Sequence, residues 1–318
     1  MISCEVSGGL GNQFFRYAYA RALQEKRKKQ GLDDELAINY GAIEDHGFVG
    51  DLSDFNIVPH EAYNCRRLLL IKGSWLQKIV YAIFTRFGIF SRIYRNKSRS
   101  LSRVGIVISE NPDNEVIFTP PYSRNQIFTI GSFENESYFS EIAEKLKLEF
   151  TPKHDILPQN SKLYDVIKQS NSVCLAVRRG DFMKEEFKKT FYVCDLTYFK
   201  NAISYIKKHV TNPTFIVFSN DIGWVKENME IDGDVYYESG HDPVWETYRL
   251  MYSCKHFIIS NSTLHWWAQY KGNYSGKIVV APERWYNAPG WERHLLLDSF
   301  VKLPTGISNP YASNWEVR

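Results

Sequence analysis

In the second half of the chain, apolar residues form short continuous runs, and amphipathic stretches separate them. The runs are SVCLAV (172–177), TFIVFS (214–219), DVYYES (234–239), HFIIS (256–260) and KIVVA (277–281). The stretches with helical spacing are 195–209, 222–229, 243–253 and 263–271. Apolar strands that alternate with helices indicate a parallel sheet covered on both faces. This half therefore predicts a Rossmann-like α/β domain, which binds its ligand beyond the carboxyl ends of its strands.

The first half begins with the same pattern and then becomes irregular. MISCEV predicts a strand, SGGLGN a tight turn, QFFRYAYARALQEKRKKQ an amphipathic helix and DELAINY a second strand. Residues 127–139 predict a strand that leads into a loop and a helix, and the polar, proline-containing segment 151–160 predicts a linker. We therefore predict an N-terminal Rossmann-like domain over 1–152, a C-terminal one over 160–300 and a tail over 301–318.

Residues 75–94 have the spacing of an amphipathic helix within a basic stretch of the chain. No acidic residue lies between Glu61 and Glu110, whereas ten residues are basic: Arg66, Arg67, Lys72, Lys78, Arg86, Arg92, Arg95, Lys97, Arg99 and Arg103. The apolar positions of the helix are Leu76, Ile79, Val80, Ile83, Phe84, Phe87 and Phe90. One interpretation is a helix packed on the core with a solvated basic face. The other is a helix that rests on anionic lipid.

Composition narrows the class of protein. The chain has 318 residues, of which 44% are hydrophobic and 24% charged, as in an ordinary globular protein. It contains no run of about 18 uncharged apolar residues, and its N-terminus has no basic n-region, so we predict neither a membrane span nor a signal peptide. Five scattered cysteines without a C-x-x-C pair favour reduced thiols over disulfides or zinc. These features predict a cytoplasmic protein.

The GGLGN segment (8–12) lies between a predicted strand and a predicted helix. Glycines let the backbone approach a ligand closely, and a helix N-terminus offers unpaired N–H groups to an anion. Gly9 and Gly11 fit G-x-G, but Phe14 stands at the third glycine position of the dinucleotide fingerprint, which argues against a nicotinamide enzyme. The segment is therefore a candidate anion-binding turn, and a purely structural turn is the alternative.

The RRGD segment (178–181) directly follows the apolar run 172–177. Adjacent guanidinium groups are costly to bury without partners. At a strand's carboxyl end, one of the two arginines can hold two phosphate oxygens in a fork, while its neighbour pairs with Asp181. The alternative is an ion-pair network that serves only the fold.

Two further polar segments follow predicted strands of the same sheet. FSND (218–221) offers Asn220 and Asp221, and SNST (260–263) offers Ser262 and Thr263, although either hydroxyl also suits a helix N-cap. DGD (232–234) resembles a metal-binding D-x-D, but its central glycine favours a surface turn. We expect three histidines to be ordinary polar or core residues: His241, His256 and His265. No cluster has metal-ligand spacing.

Taken together, these segments resemble the bacterial α-1,2-fucosyltransferases of glycosyltransferase family 11. The resemblance is carried by GGLGNQFFRYAYARAL, GSFENESYF, VRRGDF, VFSNDIGWVKENM, CKHFIISNSTLHWWAQY and VVAPERWYN, in order and spacing. It implies a GT-B fold, in which two Rossmann-like domains face each other across a cleft. It also implies transfer of L-fucose from GDP-β-L-fucose to the 2-hydroxyl of a terminal galactose, with inversion and without a metal. The implied setting is the synthesis of O-antigen or another surface polysaccharide.

The resemblance also assigns roles to residues of this sequence. Arg178 is expected to grip the donor diphosphate with Asp181 as its positioner, while Asn12 completes the expected catalytic group. The other donor contacts that it implies are Ser262 and Thr263 at the phosphates, Asn220 and Asp221 near the guanosine, and Gly9 and Gly11 from the N-terminal domain. Ala176 departs from the family's H-x-R-R-G-D pattern, so the contact of that histidine is missing or supplied elsewhere.

The acceptor hydroxyl must lose a proton on the face opposite the leaving diphosphate. We expect the N-terminal domain to present any base, and four residues stay open: Glu134, Glu136, Asp51 and His46. The basic stretch 66–103 suggests a lipid-diphosphate-linked acceptor and peripheral contact with the inner membrane. The alternatives are another GDP-sugar or acceptor on the same fold, and a non-catalytic protein that binds nucleotide or glycan. We expect no nucleic-acid partner.

Overall fold

The computed structural model describes residues 1–44, 52–86, 94–109, 119–288 and 294–309. The chain divides into two compact units, Met1–Phe150 and Thr151–Arg318, and each contains its own parallel sheet. The α/β class predicted from the hydrophobic pattern is therefore confirmed. Within the described residues, no helix combines the length and the apolar character needed to cross a bilayer.

The first unit contains a five-stranded sheet in the order β3-β2-β1-β5-β4. Its strands are β1 (Ile2–Ser7), β2 (Leu36–Tyr40), β3 (His60–Tyr63), β4 (Ile106–Ser109) and β5 (Ile127–Gly131). Its helices are α1 (Leu10–Lys28), α2 (Gly41–Glu44), α3 (Leu68–Lys72), α4 (Trp75–Arg86), α5 (Tyr94–Arg103) and α6 (Ala143–Glu149). The pattern did not predict the two edge strands. Strand β3 has only half-exposed and exposed positions and forms no apolar run, whereas β4 is a fully buried apolar run that was missed within an irregular stretch.

Helix α1 forms the core of the first unit on one face of this sheet. Its aromatic side chains are fully buried: Phe14 packs edge-on against Phe55 with ring centroids 5.0 Å apart and stacks on Phe150 at 4.0 Å. Tyr17 donates a hydrogen bond of 2.6 Å to Glu149 at the other end of the unit's sequence. These contacts join the first helix to the last one and fix the turn that precedes α1.

Helix α4 covers the first part of the predicted helix 75–94. Val80 and Phe84 pack against the core of the first unit, as the core-packing interpretation requires. Leu76, Ile79 and Ile83 instead face solvent with 38%, 49% and 44% exposure, so that interpretation is wrong for three of the five apolar positions that the structure describes. Two of the predicted apolar positions, Phe87 and Phe90, and one of the basic residues, Arg92, lie outside the described residues.

The second unit contains a six-stranded parallel sheet. Its strands are β6 (Asn171–Val177), β7 (Pro213–Ser219), β8 (Asp234–Tyr237), β9 (His256–Ile259), β10 (Val279–Pro282) and β11 (Val301–Leu303). Its helices are α7 (Ser161–Gln169), α8 (Glu185–Phe191), α9 (Leu196–His209), α10 (Ile222–Asn228), α11 (Val244–Ser253) and α12 (Thr263–Lys271). All five predicted strands are present. Strand β11 lies in the predicted tail, because three half-exposed residues at a sheet edge form no apolar run.

The strand order of this sheet is β8-β7-β6-β9-β10-β11. Counted from β6, this is the 3-2-1-4-5-6 order of a dinucleotide-binding Rossmann sheet. The order reverses between β6 and β9, and in such sheets the crevice beyond the carboxyl ends at this switch point binds the ligand. Residues that follow β6 and β9 therefore lie where a nucleotide binds in this class of fold.

Candidate nucleotide-sugar site

The loops after β6, β7 and β9 are hydrogen-bonded to one another at the switch point. The backbone N–H of Arg178 donates to Ser260 Oγ at 3.0 Å, and that of Arg179 donates to Asn220 Oδ1, also at 3.0 Å. Ser260 Oγ in turn donates to the Ala176 carbonyl at 2.8 Å. The sheet thus brings together the three predicted segments RRGD, FSND and SNST at one edge.

Arg178 is the arginine that faces solvent at this edge. Its side chain is 31% exposed, and its Nη2 donates to Asp181 Oδ1 at 2.6 Å. The ring of Phe182 lies 5.5 Å from the guanidinium carbon and supports it from one side. A single carboxylate engages only part of the guanidinium fork, so Arg178 keeps the geometry that binds a diphosphate.

Arg179 has a different environment from its neighbour. Its side chain is only 12% exposed; its Nε donates to Asp221 Oδ2 at 3.3 Å, and its guanidinium stacks on the ring of Trp224 at 3.5 Å. Asp221 also caps helix α10, because its Oδ1 accepts from the Trp224 N–H at 3.2 Å. The ion-pair interpretation therefore describes Arg179, whose partner is Asp221, while Asp181 pairs with Arg178.

Gly180 permits the turn that separates the two arginines. Its φ of +38° is unfavourable for other residues, and a Cβ there would lie 1.9 Å from Asn220 Nδ2. The amide of Asn220 therefore packs directly on the glycine while its oxygen holds the Arg179 N–H. The Asn220 side chain thus stabilises the conformation of the loop, and its contact with a guanosine stays a prediction.

Helix α12 begins at the other side of the switch point. Ser262 occupies its N-cap position, but its side chain makes no capping hydrogen bond, contrary to the capping interpretation of this serine. Ser262 and Thr263 are both partly exposed. The serine hydroxyl and the N–H groups of the first turn can thus serve an anion, which a helix N-terminus favours.

His265 lies one turn into α12, and the sequence pattern predicted only an ordinary polar or core residue there. Its imidazole is buried, and its Nδ1 has no hydrogen-bonding partner among the described residues. Burial, followed by the positive charge of Arg178, lowers its pKa to about 3, so the ring is neutral. The sequence signal was available, since position 265 is three residues after Ser262 on the helix and shares its face.

The GGLGN turn of the first unit is closed by its own helix. The left-handed residue is Gly8, with φ of +75°, and a Cβ there would lie 2.7 Å from Asn12 Nδ2. Gly9 is the N-cap of α1 with φ of −64°, and Gly11 is buried in the first helical turn. The motif pointed to Gly9 and Gly11, but the conformation that requires glycine is at Gly8.

Charged groups lie directly below this turn. Arg16, one turn after Asn12, donates to the Glu5 carbonyl at 3.2 Å. Burial lowers the pKa of Arg16, and the nearby carboxylates of Glu134 and Glu5 oppose that effect. The predicted base Glu134 is therefore buried beside a cation, whereas Glu136 is half-exposed at the start of a 3-10 helix. The other two predicted bases, Asp51 and His46, lie outside the described residues.

Metal ligands do not gather at either edge in the part of the chain that the structure describes, where no group of three His, Cys, Asp or Glu could hold an ion. Asp232 and Gly233 of the DGD segment lie in a loop, with φ of +121° at Gly233, and Asp234 begins β8. Asp232 pairs with Lys207, and this hydrogen bond lowers the pKa of Asp232. The five cysteines are all unpaired, and four of them are buried.

Comparison with known proteins places these features in a family. The model of glycosyl transferase family 11 matches residues 112–297. An α-1,2-colitosyltransferase of Escherichia coli is 29% identical over 90% of this chain and 92% of its own length. The O-antigen biosynthesis glycosyltransferase WbnK of Escherichia coli is 26% identical over 95% of this chain and its own full length.

A solved structure supports the fold. The α-1,6-fucosyltransferase NodZ from Bradyrhizobium, soaked with GDP-fucose, matches 85% of this chain and 91% of its own with a TM-score of 0.51 and 12% identity. At that identity the match shows only the fold, and it confirms the predicted GT-B class of two Rossmann-like α/β units.

Proposed function

The chain belongs to glycosyl transferase family 11, and on that premise we propose that it transfers L-fucose from GDP-β-L-fucose to the 2-hydroxyl of a terminal galactose. The product is an α-1,2-fucosylated oligosaccharide, formed with inversion. The observation that carries the proposal is the half-exposed Arg178 at the switch point, across from the N-terminus of α12. Both groups suit a diphosphate.

The leaving group determines what this edge must do. Cleavage of the bond between fucose and phosphate develops negative charge on the diphosphate. Fixed cations and N–H dipoles stabilise that charge without reorganisation. Arg178, held by Asp181 at 2.6 Å, and the first turn of α12 supply both kinds of group. Neutral His265 behind them adds no competing positive charge.

The guanosine end of the donor requires a different surface. Asn220 and Asp221 both have protein partners, so their role in our proposal is to shape the loop and leave backbone groups for the base. Ala176 presents no polar side chain, and its carbonyl is engaged by Ser260.

The first unit is expected to present the acceptor and its base. Glu134 is buried beside Arg16, whereas half-exposed Glu136 is accessible to a sugar hydroxyl. We therefore favour Glu136 as the base and Glu134 as a positioner of Arg16. A Glu136→Gln variant should lose turnover without losing donor affinity, whereas Glu134→Gln should lower thermal stability as well.

A specific observation favours a second donor. The E. coli relative that is 29% identical to this chain is an α-1,2-colitosyltransferase. Colitose is L-fucose without its 3-hydroxyl, so both sugars can share a diphosphate site and differ only in the groups that meet that hydroxyl. The second candidate function is thus transfer of colitose through the same linkage.

A donor screen tests the proposal. The protein is incubated with lactose and, in separate reactions, GDP-fucose, GDP-colitose, GDP-mannose or UDP-galactose, each with and without EDTA, and the products are identified by mass spectrometry. We expect a fucosylated product whose proton spectrum shows an α linkage and which an α-1,2-fucosidase cleaves. A preference for GDP-colitose selects the second candidate.

Two outcomes contradict the proposal. Transfer from UDP-galactose but from no GDP-sugar would overturn the donor class. Tight binding of GDP-fucose with neither transfer nor slow donor hydrolysis, on lactose and on longer galactose-terminated acceptors, would indicate a non-catalytic binding protein.

A further inference from the structure

Exposed apolar side chains are concentrated on two consecutive helices of the first unit. Among the described residues, thirteen large apolar side chains are exposed, and six of them lie between positions 70 and 83: Leu70, Ile71, Trp75, Leu76, Ile79 and Ile83. Trp75 is 73% exposed. The first two belong to α3 and the others to α4, and we refer to these six residues as the apolar patch. A cluster of this kind on a protein surface marks an interaction site.

One face of α4 consists of exposed apolar residues. Trp75, Leu76, Ile79, Ala82 and Ile83 are all exposed and recur at i, i+1, i+4, i+7 and i+8, which places them on one side of the helix. The exposed face of a surface helix is ordinarily polar. In α4 it is the apolar side that meets solvent.

The opposite face of α4 fixes this orientation. Gln77 is 5% exposed, and its Nε2 donates to the carbonyls of Val104 at 2.9 Å and Gln126 at 3.2 Å. Val80 and Phe84 pack against the core of the unit beside it. Because a buried glutamine and two apolar anchors hold the helix, turning the apolar patch inward would break these hydrogen bonds.

Basic residues border the apolar patch. Lys78 reaches back to the Ile71 carbonyl at 3.4 Å, and Lys72 is exposed at the end of α3. The sequence contains no acidic residue between Glu61 and Glu110, so the stretch itself is basic, and Glu61 at its border is a carboxylate that acts on Lys72. An occupant of the patch must therefore be apolar at its centre and anionic around it.

We propose that the apolar patch docks the protein on a bilayer surface that contains anionic lipid. An amphipathic helix with aliphatic residues and a tryptophan on one side, bordered by lysines, binds in the interfacial plane. The 12-residue helix α4 is too short to span the bilayer and lies along it. A second copy of the chain is a poorer occupant, because a two-fold contact would place the same basic residues against each other.

Vesicle co-sedimentation tests the proposal without donor or acceptor, so its result does not depend on the transfer reaction. The full chain is mixed with vesicles of phosphatidylcholine alone or of equal parts phosphatidylcholine and phosphatidylglycerol. We expect pelleting with the anionic vesicles that weakens as salt is raised, because exposed charges are screened.

Two variants separate the apolar and the electrostatic contributions. Trp75→Ser with Ile79→Ser and Ile83→Ser should lower the partition coefficient on anionic vesicles at least about tenfold. Lys72→Gln with Lys78→Gln should lower it about tenfold on anionic vesicles and leave neutral vesicles unaffected. Thermal melting should be unchanged in both, since the replaced side chains are exposed.

Leu148→Ser with Ile156→Ser is the matched control. These residues are 73% and 48% exposed, against 73% for Trp75 and 49% for Ile79, but they lie elsewhere on the surface. The control should bind vesicles as the wild type does. The proposal is overturned if the wild type does not pellet with anionic vesicles. It is also overturned if the control variant loses as much vesicle binding as the triple variant. Sedimentation equilibrium provides a further test. If the wild type is a dimer and the triple variant is a monomer, the proposal is overturned in favour of a second copy as the occupant.

Discussion

Each unit has a left-handed glycine in the loop after its first strand, and in both an asparagine amide occupies the space that a side chain would fill. At Gly8 the amide belongs to Asn12, four residues later, and lies 2.7 Å from the missing Cβ. At Gly180 the amide belongs to Asn220, from the loop after the next strand, at 1.9 Å. The first loop is thus closed locally, whereas the second is joined to its neighbour in the sheet.

The charges around the two loops differ more strongly than their backbones. Arg16 below the first loop is buried near the carboxylates of Glu134 and Glu5. Arg178 in the second loop is 31% exposed and is held by Asp181 and the ring of Phe182. A shared turn geometry therefore does not imply a shared role: the cation of the first loop supports the fold, and that of the second is available to a ligand.

Removing the exposed cation should have the largest effect on activity. Arg178→Ala is expected to lower turnover about 10²–10³-fold, the usual loss when one donor to a developing negative charge is removed. Its unfolding midpoint in urea should stay at the wild-type value, because the side chain is half-exposed. Steady-state kinetics with saturating GDP-fucose measures the first quantity.

The control for this prediction is Lys188→Ala, which removes a 45% exposed cation from α8 with only a distant partner. It should retain wild-type turnover. If Arg178→Ala keeps more than about a tenth of the wild-type rate, Arg178 is not the diphosphate ligand, and the contrast between the two loops fails.

The sequence predicted which segments meet at the second loop, but it did not predict which carboxylate each of the two adjacent arginines pairs with. Parallel strands bring their carboxyl ends to one edge, so RRGD, FSND and SNST could be placed together from the strand pattern alone. The pairing of Arg179 with Asp221 instead of Asp181 depends on the backbone at Gly180, with its φ of +38°. Tertiary contacts determine this φ angle, so the hydrophobic pattern of the sequence does not predict it.

Helix α4 shows the same limit at the level of packing. Its period was evident in the sequence, yet period alone does not say which side of a helix meets the core. Gln77 decides the matter through its two hydrogen bonds to the Val104 and Gln126 carbonyls, which are distant in sequence. The strands β3 and β4 were missed for other reasons: β3 forms no apolar run, and the buried run of β4 stands in a stretch without regular alternation of strands and helices.

Removing the buried cation of the first loop should affect stability most. Arg16→Met is expected to lower the free energy of unfolding by about 3 kcal/mol, near the lower end of the cost of breaking a buried charge pair, since part of the Arg16 side chain still reaches solvent. Urea denaturation followed by circular dichroism measures this change. Lys26→Met, an exposed position of the same helix, should change it by less than about 0.5 kcal/mol. Equal losses in the two variants would show that Arg16 has no special role.

Adding one methyl group at Gly180 should disturb the backbone that positions Arg178 and Arg179. Gly180→Ala places a Cβ against the Asn220 amide and strains the left-handed backbone, so we expect a loss of about 2 kcal/mol in unfolding free energy. We also expect a higher KM for the GDP-sugar, because the hydrogen bond from the Arg179 N–H to Asn220 is lost.

Gly223→Ala supplies the control for this methyl group. Gly223 lies in α10 without a positive φ, and no atom lies within 4 Å of the point that its Cβ would occupy, so alanine should stabilise the helix by up to about 1 kcal/mol. A Gly180→Ala variant with unchanged stability and KM would mean that the loop tolerates movement of Asn220, and that the glycine does not set the arginine geometry.

Counted per unit of pH, the smallest expected change is the dependence of stability on pH that comes from His265. Burial and Arg178 lower its pKa to about 3 in the folded state, against 6.5 for an unperturbed histidine. Between pH 3 and pH 6.5 this histidine binds a proton in the unfolded chain but not in the folded chain. Stability is therefore complete above pH 6.5 and falls as the pH is lowered towards 3, by at most about 1.4 kcal/mol per pH unit.

His265→Gln should reduce that slope, and the difference between wild type and variant isolates the contribution of this residue from that of the other histidines. Denaturation curves at pH 4, 5, 6 and 7 give the slopes, and His241→Gln, which removes an exposed imidazole, serves as the control. Below pH 6.5 the variant should lose less stability than the wild type for each unit of pH. Parallel curves for wild type and His265→Gln would mean that the imidazole is protonated in the folded protein, and a charged ring beside Arg178 would then belong to the diphosphate site itself.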